Sequence, residues 1–294
     1  MSQHRLAPAK VNLALHVVGR RADGYHLLES LVVFTELGDR LRVAPSGIDA
    51  FVVSGPFATG VPRDGDNLVL RARDLLRKNF PEPARHPVRI ELEKNLPPAS
   101  GIGGGSSDAA ATLHALCELW ALQVSQSELM TLAEPLGADL PMCIAAHPLI
   151  ARGTGEQIEP AGSMPRLPLV LVNPGVPVST PAVFNALAQR ENAPLDGLPA
   201  RIDFDSLVDW LAQARNDLQA PAISIEPAIS KVLEAIDHES ALVARMSGSG
   251  ATCFGIFETA EAAQAAARRI SEARPGWWVV ATASRPSEAD HAGH

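Results

Sequence analysis

Glycine occupies four of the five positions from 101 to 105, and the run Pro97-Pro98-Ala99-Ser100-Gly101-Ile102-Gly103-Gly104-Gly105-Ser106-Ser107 leads straight into an alanine- and leucine-rich stretch, 109–122. Residues without a Cβ let a ligand approach the main chain and admit positive φ. Beyond them, Leu113, Leu116, Cys117 and Trp120 follow the i, i+3, i+4, i+7 spacing of a buried helix face, which predicts a helix. A glycine loop ahead of a helix leaves main-chain N–H groups unpaired at the positive end of the helix dipole. Such a place suits an anion, phosphate above all. The alternative is a tight turn that needs glycine for its own geometry and caps its helix with Ser106 or Ser107.

Two common phosphate loops do not match. The run lacks the Lys-Ser/Thr ending of a P-loop. Ser106 stands where a dinucleotide fingerprint has its third glycine, and no long strand is predicted to lead into the loop.

The remainder of the chain is compatible with a soluble globular protein. With 294 residues the length prior favours about two domains. A composition of 46% hydrophobic and 20% charged residues is that of an ordinary globular protein. The net charge of −8, from 25 basic and 33 acidic residues, argues against nucleic acid as a partner and leaves phosphate binding to a local site. No apolar run approaches a membrane span and the N-terminus has no signal-peptide core, so a cytoplasmic protein with no membrane partner is expected. Cys117, Cys143 and Cys253 lie in apolar surroundings without metal-ligand spacing and read as core residues of a reducing compartment.

Strands are predicted over 7–18, 27–36, 39–43, 50–53, 88–93, 149–152, 167–172, 242–246, 251–257 and 277–283. Helices are predicted from Asp66 or Asn67 to Asn79, from the Ser125 capping box to Leu136, and over 180–189, 204–214, 226–236 and 260–272. Glu159–Arg166 reads as a linker, and the polar tail from Ser284 to His294 reads as disordered. Because strands and helices mix without regular βα alternation, the reading is two α+β domains, 1–163 and 164–294.

Two charged residues stand out. Lys10 interrupts the apolar strand Ala7–Leu15, where it faces either a carboxylate or ligand, or solvent from an edge. Asp139 precedes Leu140-Pro141, where a helix N-cap is the plain alternative to a chemical role. A cation and a carboxylate beside a phosphate loop are parts that phosphoryl transfer needs.

Three segments, Pro8-Ala9-Lys10-Val11-Asn12, Pro97–Ser107 and Ser247-Gly248-Ser249-Gly250-Ala251, together resemble the GHMP kinases, the family of galactokinase, homoserine kinase, mevalonate kinase and phosphomevalonate kinase. Ala7–Leu13, Arg21-Ala22-Asp23-Gly24-Tyr25-His26, Gly137-Ala138-Asp139-Leu140-Pro141 and Ser179-Thr180-Pro181-Ala182-Val183-Phe184 resemble the branch of that family acting on 4-diphosphocytidyl-2-C-methyl-D-erythritol. The resemblance implies the two-domain GHMP kinase fold, with an N-terminal domain like domain 2 of ribosomal protein S5, a ferredoxin-like C-terminal domain and a cleft between them. It implies phosphoryl transfer from ATP to an alcohol in the non-mevalonate isoprenoid route, by a monomer or homodimer.

Carried onto this chain, the resemblance makes Asp139 the proton acceptor and Lys10 the cation that keeps it ionised. It assigns the ATP phosphates to Pro97, Pro98, Ala99, Ser100, Gly101, Ile102, Gly103, Gly104, Gly105, Ser106 and Ser107. Tyr25 and Phe184 would sandwich the cytosine, His26 would bond its edge, and Asn12, Gly248, Ser249 and Gly250 would line the acceptor side. Mg2+ would arrive with ATP, since no residue cluster defines a separate metal site. Asp108 is expected to point away from ATP or towards Mg2+; a reading with Asp108 as the proton acceptor competes. Alternatives for the whole chain are a kinase for homoserine or a mevalonate-like alcohol, which needs no aromatic pair, and an inactive nucleotide-binding module. Tyr25 as a packing residue at a hairpin end, and 247–251 as a plain hairpin turn, are the structural alternatives.

Overall fold

The computed structural model describes residues 2–286, and the part of the predicted tail beyond them lies outside the described residues. Two compact units interleave along the chain: residues to Ala9, Gly38–Pro98 and Gly103–Ala146 in one, and Lys10–Leu37, Ala99–Ile102 and His147 onward in the other.

The first unit takes the beginning of β1 (Gln3–Arg20) and the end of β2 (His26–Pro45), with β3 (Ala50–Ser54), α1 (Leu68–Asn79) and β4 (Val88–Glu93). The end of β2 pairs antiparallel with β4, from Arg40 opposite Glu93 to Pro45 opposite Val88, and β3 pairs parallel on the far side of β4. Three helices follow, α2 (Gly104–Leu119), α3 (Gln126–Ala133) and α4 (Leu140–Ala145), with α2 packed on both α1 and α4. Sequence punctuation accounts for the helix starts. Asn67 Oδ1 accepts from Val69 N at 2.9 Å to cap α1, and Ser125 with Glu128 forms the expected capping box of α3.

The helix after the glycines begins earlier than predicted. It starts at Gly104, with Gly103 as its N-cap at φ 65, and neither Ser106 nor Ser107 caps it. Glycine is unfavourable in a helix interior, but first-turn amides have no intrahelical partner in any case, so the penalty is small there. The predicted break at residues 37–38 is absent too. β2 runs unbroken because both of its halves find partners.

In the second unit the start of β2 pairs with β5 (Leu149–Gly153), and β5 turns back through residues 153–155 into β6 (Gln157–Pro160). That polar edge strand occupies part of the predicted linker. A second sheet has the order β10 (Trp278–Ala283), β7 (Pro168–Asn173), β9 (Cys253–Ile256), β8 (Val243–Met246), antiparallel throughout. The helices are α5 (Thr180–Asn185), α6 (Phe204–Gln213), α7 (Gln219–Ile225), α8 (Ala228–Asp237) and α9 (Ala260–Ala273). Ile229, Val232 and Ile236 of α8 and Ala263, Ala266, Ala267 and Ile270 of α9 are buried, and these helices pack on the sheet. α5 stops well short of the predicted end at 189. α7 was not predicted; its Pro221 lies in the first turn, where proline is tolerated.

Ser284 and Arg285 are ordered, contrary to expectation. Ser284 exchanges hydrogen bonds with the main chain of Leu167, at 3.0 and 2.8 Å, and Arg285 N donates to Phe34 O at 2.7 Å.

Arg245 is a buried cation whose guanidinium donates to three carbonyls, Leu13 O and Leu211 O at 2.7 Å and Ala214 O at 2.8 Å. Burial pulls it down to about 10. Arg245→Met removes all three donors from buried acceptors and is expected to lower stability by about 3 kcal/mol. The urea midpoint would fall at constant slope; an unchanged midpoint would mean that those carbonyls find other partners.

Candidate active site

In the first unit the glycine loop ends where α2 begins. Ser107 N bonds back to Gly103 O at 2.9 Å, and no side chain caps the first turn. The N–H groups of Gly104, Gly105 and Ser106 therefore form an uncapped amide cluster at the positive end of a helix of 16 residues. That arrangement fits a phosphate group. Among the loop residues of this unit Pro97 is buried, Pro98 and Gly105 are exposed, and Gly103, Gly104 and Ser106 are half-buried. Ser107 is buried and its Oγ contacts Cys143 Sγ at 3.5 Å. Asp139 holds the N-cap position of α4, half-buried, and its side chain makes no capping hydrogen bond. The position is that of a cap; the carboxylate does not serve as one.

Asp108 faces neither solvent nor loop. It is buried and ion-paired with Lys94, which also pairs with the fully buried Asp39. Burial raises the Asp108 pKa against the pull of Lys94. Enclosed in this way, Asp108 is out of reach of a substrate hydroxyl, so the reading that made it the proton acceptor is set aside. Lys94 and Asp39 carried no local sequence signal.

In the second unit Lys10 is 5% exposed, so it is not an outward lysine on an edge strand, and its N–H donates to Ile102 O at 2.9 Å. Two residues on, Asn12 N donates to Ser247 Oγ at 3.1 Å, and Ser247 Oγ donates to Gly101 O, also at 3.1 Å. Thr252 N reaches Ser100 O at 3.1 Å. The middle of the glycine loop, Ala99–Ile102, is thus sewn to β1 and to the turn 247–250, which does more than reverse the chain. Asn12 Nδ2 bonds Ser30 Oγ at 2.8 Å, while its Oδ1 is buried with no hydrogen-bond partner. Asn216 Nδ2 holds the turn through Met246 O at 2.7 Å and Gly248 O at 2.8 Å. Next to Gly250, Ser249 Oγ lies 2.7 Å from Thr180 Oγ1 at the start of α5.

Two members of the predicted aromatic group, Phe184 and His26, lie against each other. Phe184 stacks on His26, with ring centroids 4.9 Å apart and planes inclined by 24°. Tyr25 is 66% exposed, on a turn closed by Arg21 N donating to Tyr25 O. His26 Nε2 is buried without a partner, and burial, with Arg20 and Arg190 nearby, holds the imidazole pKa below its usual value. Neutral His26 keeps one donor and one acceptor nitrogen.

Residues 67–147 match the model of the GHMP kinases N terminal domain, and residues 196–276 match that of the GHMP kinases C terminal. A 4-diphosphocytidyl-2-C-methyl-D-erythritol kinase of Chelativorans sp. (strain BNC1) is 56% identical over 282 residues, 96% of each chain. This chain belongs to the 4-diphosphocytidyl-2-C-methyl-D-erythritol kinases, a branch of the GHMP kinases. A solved 4-(cytidine 5'-diphospho)-2C-methyl-D-erythritol kinase superposes with TM-score 0.79 and 36% identity, over 96% of this chain and 100% of that one. A homoserine kinase of Cytophaga hutchinsonii ATCC 33406 has TM-score 0.62 over 98% of this chain and 95% of that one, at 19% identity, a likeness of fold alone. The α+β architecture with two sheets is the GHMP kinase fold, and the 4-diphosphocytidyl-2-C-methyl-D-erythritol kinases are enzymes, as this chain is.

Proposed function

We propose that the protein transfers the γ-phosphoryl group of ATP to the 2-hydroxyl of 4-diphosphocytidyl-2-C-methyl-D-erythritol, giving the 2-phosphate and ADP in the non-mevalonate isoprenoid route. The observation that carries this reading is 56% identity to a kinase named for that acceptor over 96% of the chain. Phosphoryl transfer passes through a loose transition state, so positioning and charge stabilisation do most of the catalysis. The uncapped amides of Gly104, Gly105 and Ser106 support phosphate binding by the glycine loop, with Pro97–Gly103 and Ser107 completing it. Mg2+ accompanies ATP and neutralises charge on its phosphates.

Asp139 takes the proton of the attacking hydroxyl. Lys10 favours the ionised carboxylate and offsets charge on the moving phosphoryl group. The cytosine is bound by the aromatic group, Phe184 and Tyr25 offering faces and neutral His26 its edge nitrogens. Asn12, with its unpartnered buried Oδ1, and the turn residues Gly248, Ser249 and Gly250 line the acceptor side. Both substrates are small molecules. The proposed location is the cytoplasm; no helix among the described residues is long and apolar enough to cross a membrane. The domain reading, 1–163 and 164–294, is supported by the two family models falling on either side of 163.

The test is ADP release with ATP, Mg2+ and each acceptor in turn. Turnover is expected with 4-diphosphocytidyl-2-C-methyl-D-erythritol and not with homoserine or mevalonate; the reverse preference would overturn the assignment. In the same assay Phe184→Ala is expected to raise the acceptor KM about tenfold with kcat little changed, the size of one lost base stack. An unaltered KM would place the base elsewhere.

A further inference from the structure

We propose that Lys94, Asp39 and Asp108 form a positioning latch that fixes the two flanks of the glycine loop relative to each other and so sets the affinity for ATP. The inference rests on the reading that this loop holds the ATP phosphates.

Lys94 immediately follows the last residue of β4, and Asp108 lies in the opening turns of α2. Everything that makes up the loop lies between these two residues. Lys94 Nζ donates to Asp108 Oδ2 at 2.6 Å and to Asp39 Oδ2 in a second, very short contact. Asp39, from β2, uses its other oxygen to accept Asn95 N at 2.5 Å and Leu96 N at 2.8 Å. The two residues that enter the loop are therefore held by their amides, and the helix that leaves it is held by its carboxylate. One ammonium group joins the two.

The group sits directly beneath the amide cluster. A Cβ on Gly104 would lie 3.7 Å from Asp39 Oδ2 and 3.7 Å from the Leu96 side chain. All three side chains are buried, at 5%, 0% and 5% exposure for Lys94, Asp39 and Asp108. A buried ion group is a poor device for stability, since apolar side chains of the same volume often do as well. It has a direction that apolar contact lacks, because each hydrogen bond fixes a distance and an angle. Amides that bind a phosphate must be held to within about 0.5 Å of their working positions. Asp108 Oδ1 is buried with no hydrogen-bond partner. Lys94 stays charged: burial opposes its ammonium form, and the two carboxylates outweigh that and raise its pKa.

Lys94→Met and Asp108→Glu test the latch in the full-length enzyme. The first removes the bridging donor. The second keeps the charge and the pairing but lengthens the link by one methylene, which pushes the start of α2 away from Lys94, and serves if Lys94→Met fails to fold. Each is expected to raise KM for ATP at least about tenfold, with kcat at saturating ATP and the acceptor KM within about twofold of wild type. A merely structural role would lower the melting temperature and leave KM for ATP alone; that result in either folded variant overturns the latch. Gly103→Val, read by direct binding of a non-hydrolysable ATP analogue, separates the two ideas. Unchanged affinity there would remove the loop reading itself and the latch with it. Weakened affinity there, with normal KM in Lys94→Met and Asp108→Glu, would remove the latch alone.

Discussion

Asp139→Asn is expected to bind ATP as tightly as the wild type and to turn over roughly 10²–10⁴-fold more slowly, the usual worth of a positioned proton acceptor. The substitution is close to isosteric, so the volume of the side chain is kept. Asp139 starts α4 without lending its side chain to the cap, and its helical link, Cys143 N to Asp139 O at 3.1 Å, is main-chain. What the amide cannot do is take a proton from the attacking hydroxyl. The effect should therefore fall on kcat, with ATP affinity unchanged by calorimetry. Lys10→Met should be similarly slow. If the two residues act as one unit, the double variant should be about as slow as the slower single variant rather than the product of both losses. Wild-type turnover in Asp139→Asn would end its assignment as the acceptor.

The glycine loop was legible because its signal is local: a dense glycine run, then a helical period, are both read without knowing the fold. The caps Asn67 and Ser125 were legible for the same reason, since a cap acts within three residues. Lys10 and Asp139 stood out as a cation and a carboxylate to set beside the loop, but each alone has an ordinary explanation, and their separate roles came from the family resemblance. The latch was illegible because its members are 14 and 55 residues apart and each looks like a surface charge. Asp108 was noticed, but its surroundings could not be inferred: a carboxylate near a helix start is favoured there whether it faces water or a buried lysine. The resemblance set Tyr25 and Phe184 on the two faces of the cytosine with His26 at its edge, and it gave no sign that the His26 ring itself stacks on Phe184. Adjacent residues in a turn point different ways, and spacing does not say which one faces inward. Edge strand β6 was missed because a polar edge has the composition of a linker.

Gly101→Ala should be damaging out of proportion to its single added methyl. Gly101 has φ 78, where a non-glycine residue costs about 1 kcal/mol or more. That part of the penalty alone would be tolerable. The larger part is steric: a Cβ would fall 2.6 Å from Ser247 O, 2.8 Å from Gly250 O and 2.9 Å from Gly250 N. All three are main-chain atoms, in a turn held by Asn216 Nδ2 on Gly248 O and by Ser247 Oγ on Gly101 O. No flexible side chain can move aside, so the loop or the turn must shift, and the Ser247 bond that joins them is lost. The expected result is a stability loss of about 3 kcal/mol and a rise in KM for ATP of about tenfold or more. Gly60→Ala is the control, because Gly60 has φ 81 with nothing within 4 Å of its Cβ position. It should show the backbone penalty of about 1 kcal/mol and no change in KM. Equal losses in the two variants would mean that the turn yields and that its contact with the loop does not hold the loop in place. A Gly101→Ala enzyme with normal KM but reduced stability would mean that the contact serves the fold alone. An added loss of stability together with weakened ATP use requires the turn 247–250 to be the rigid backing against which the phosphate loop is set.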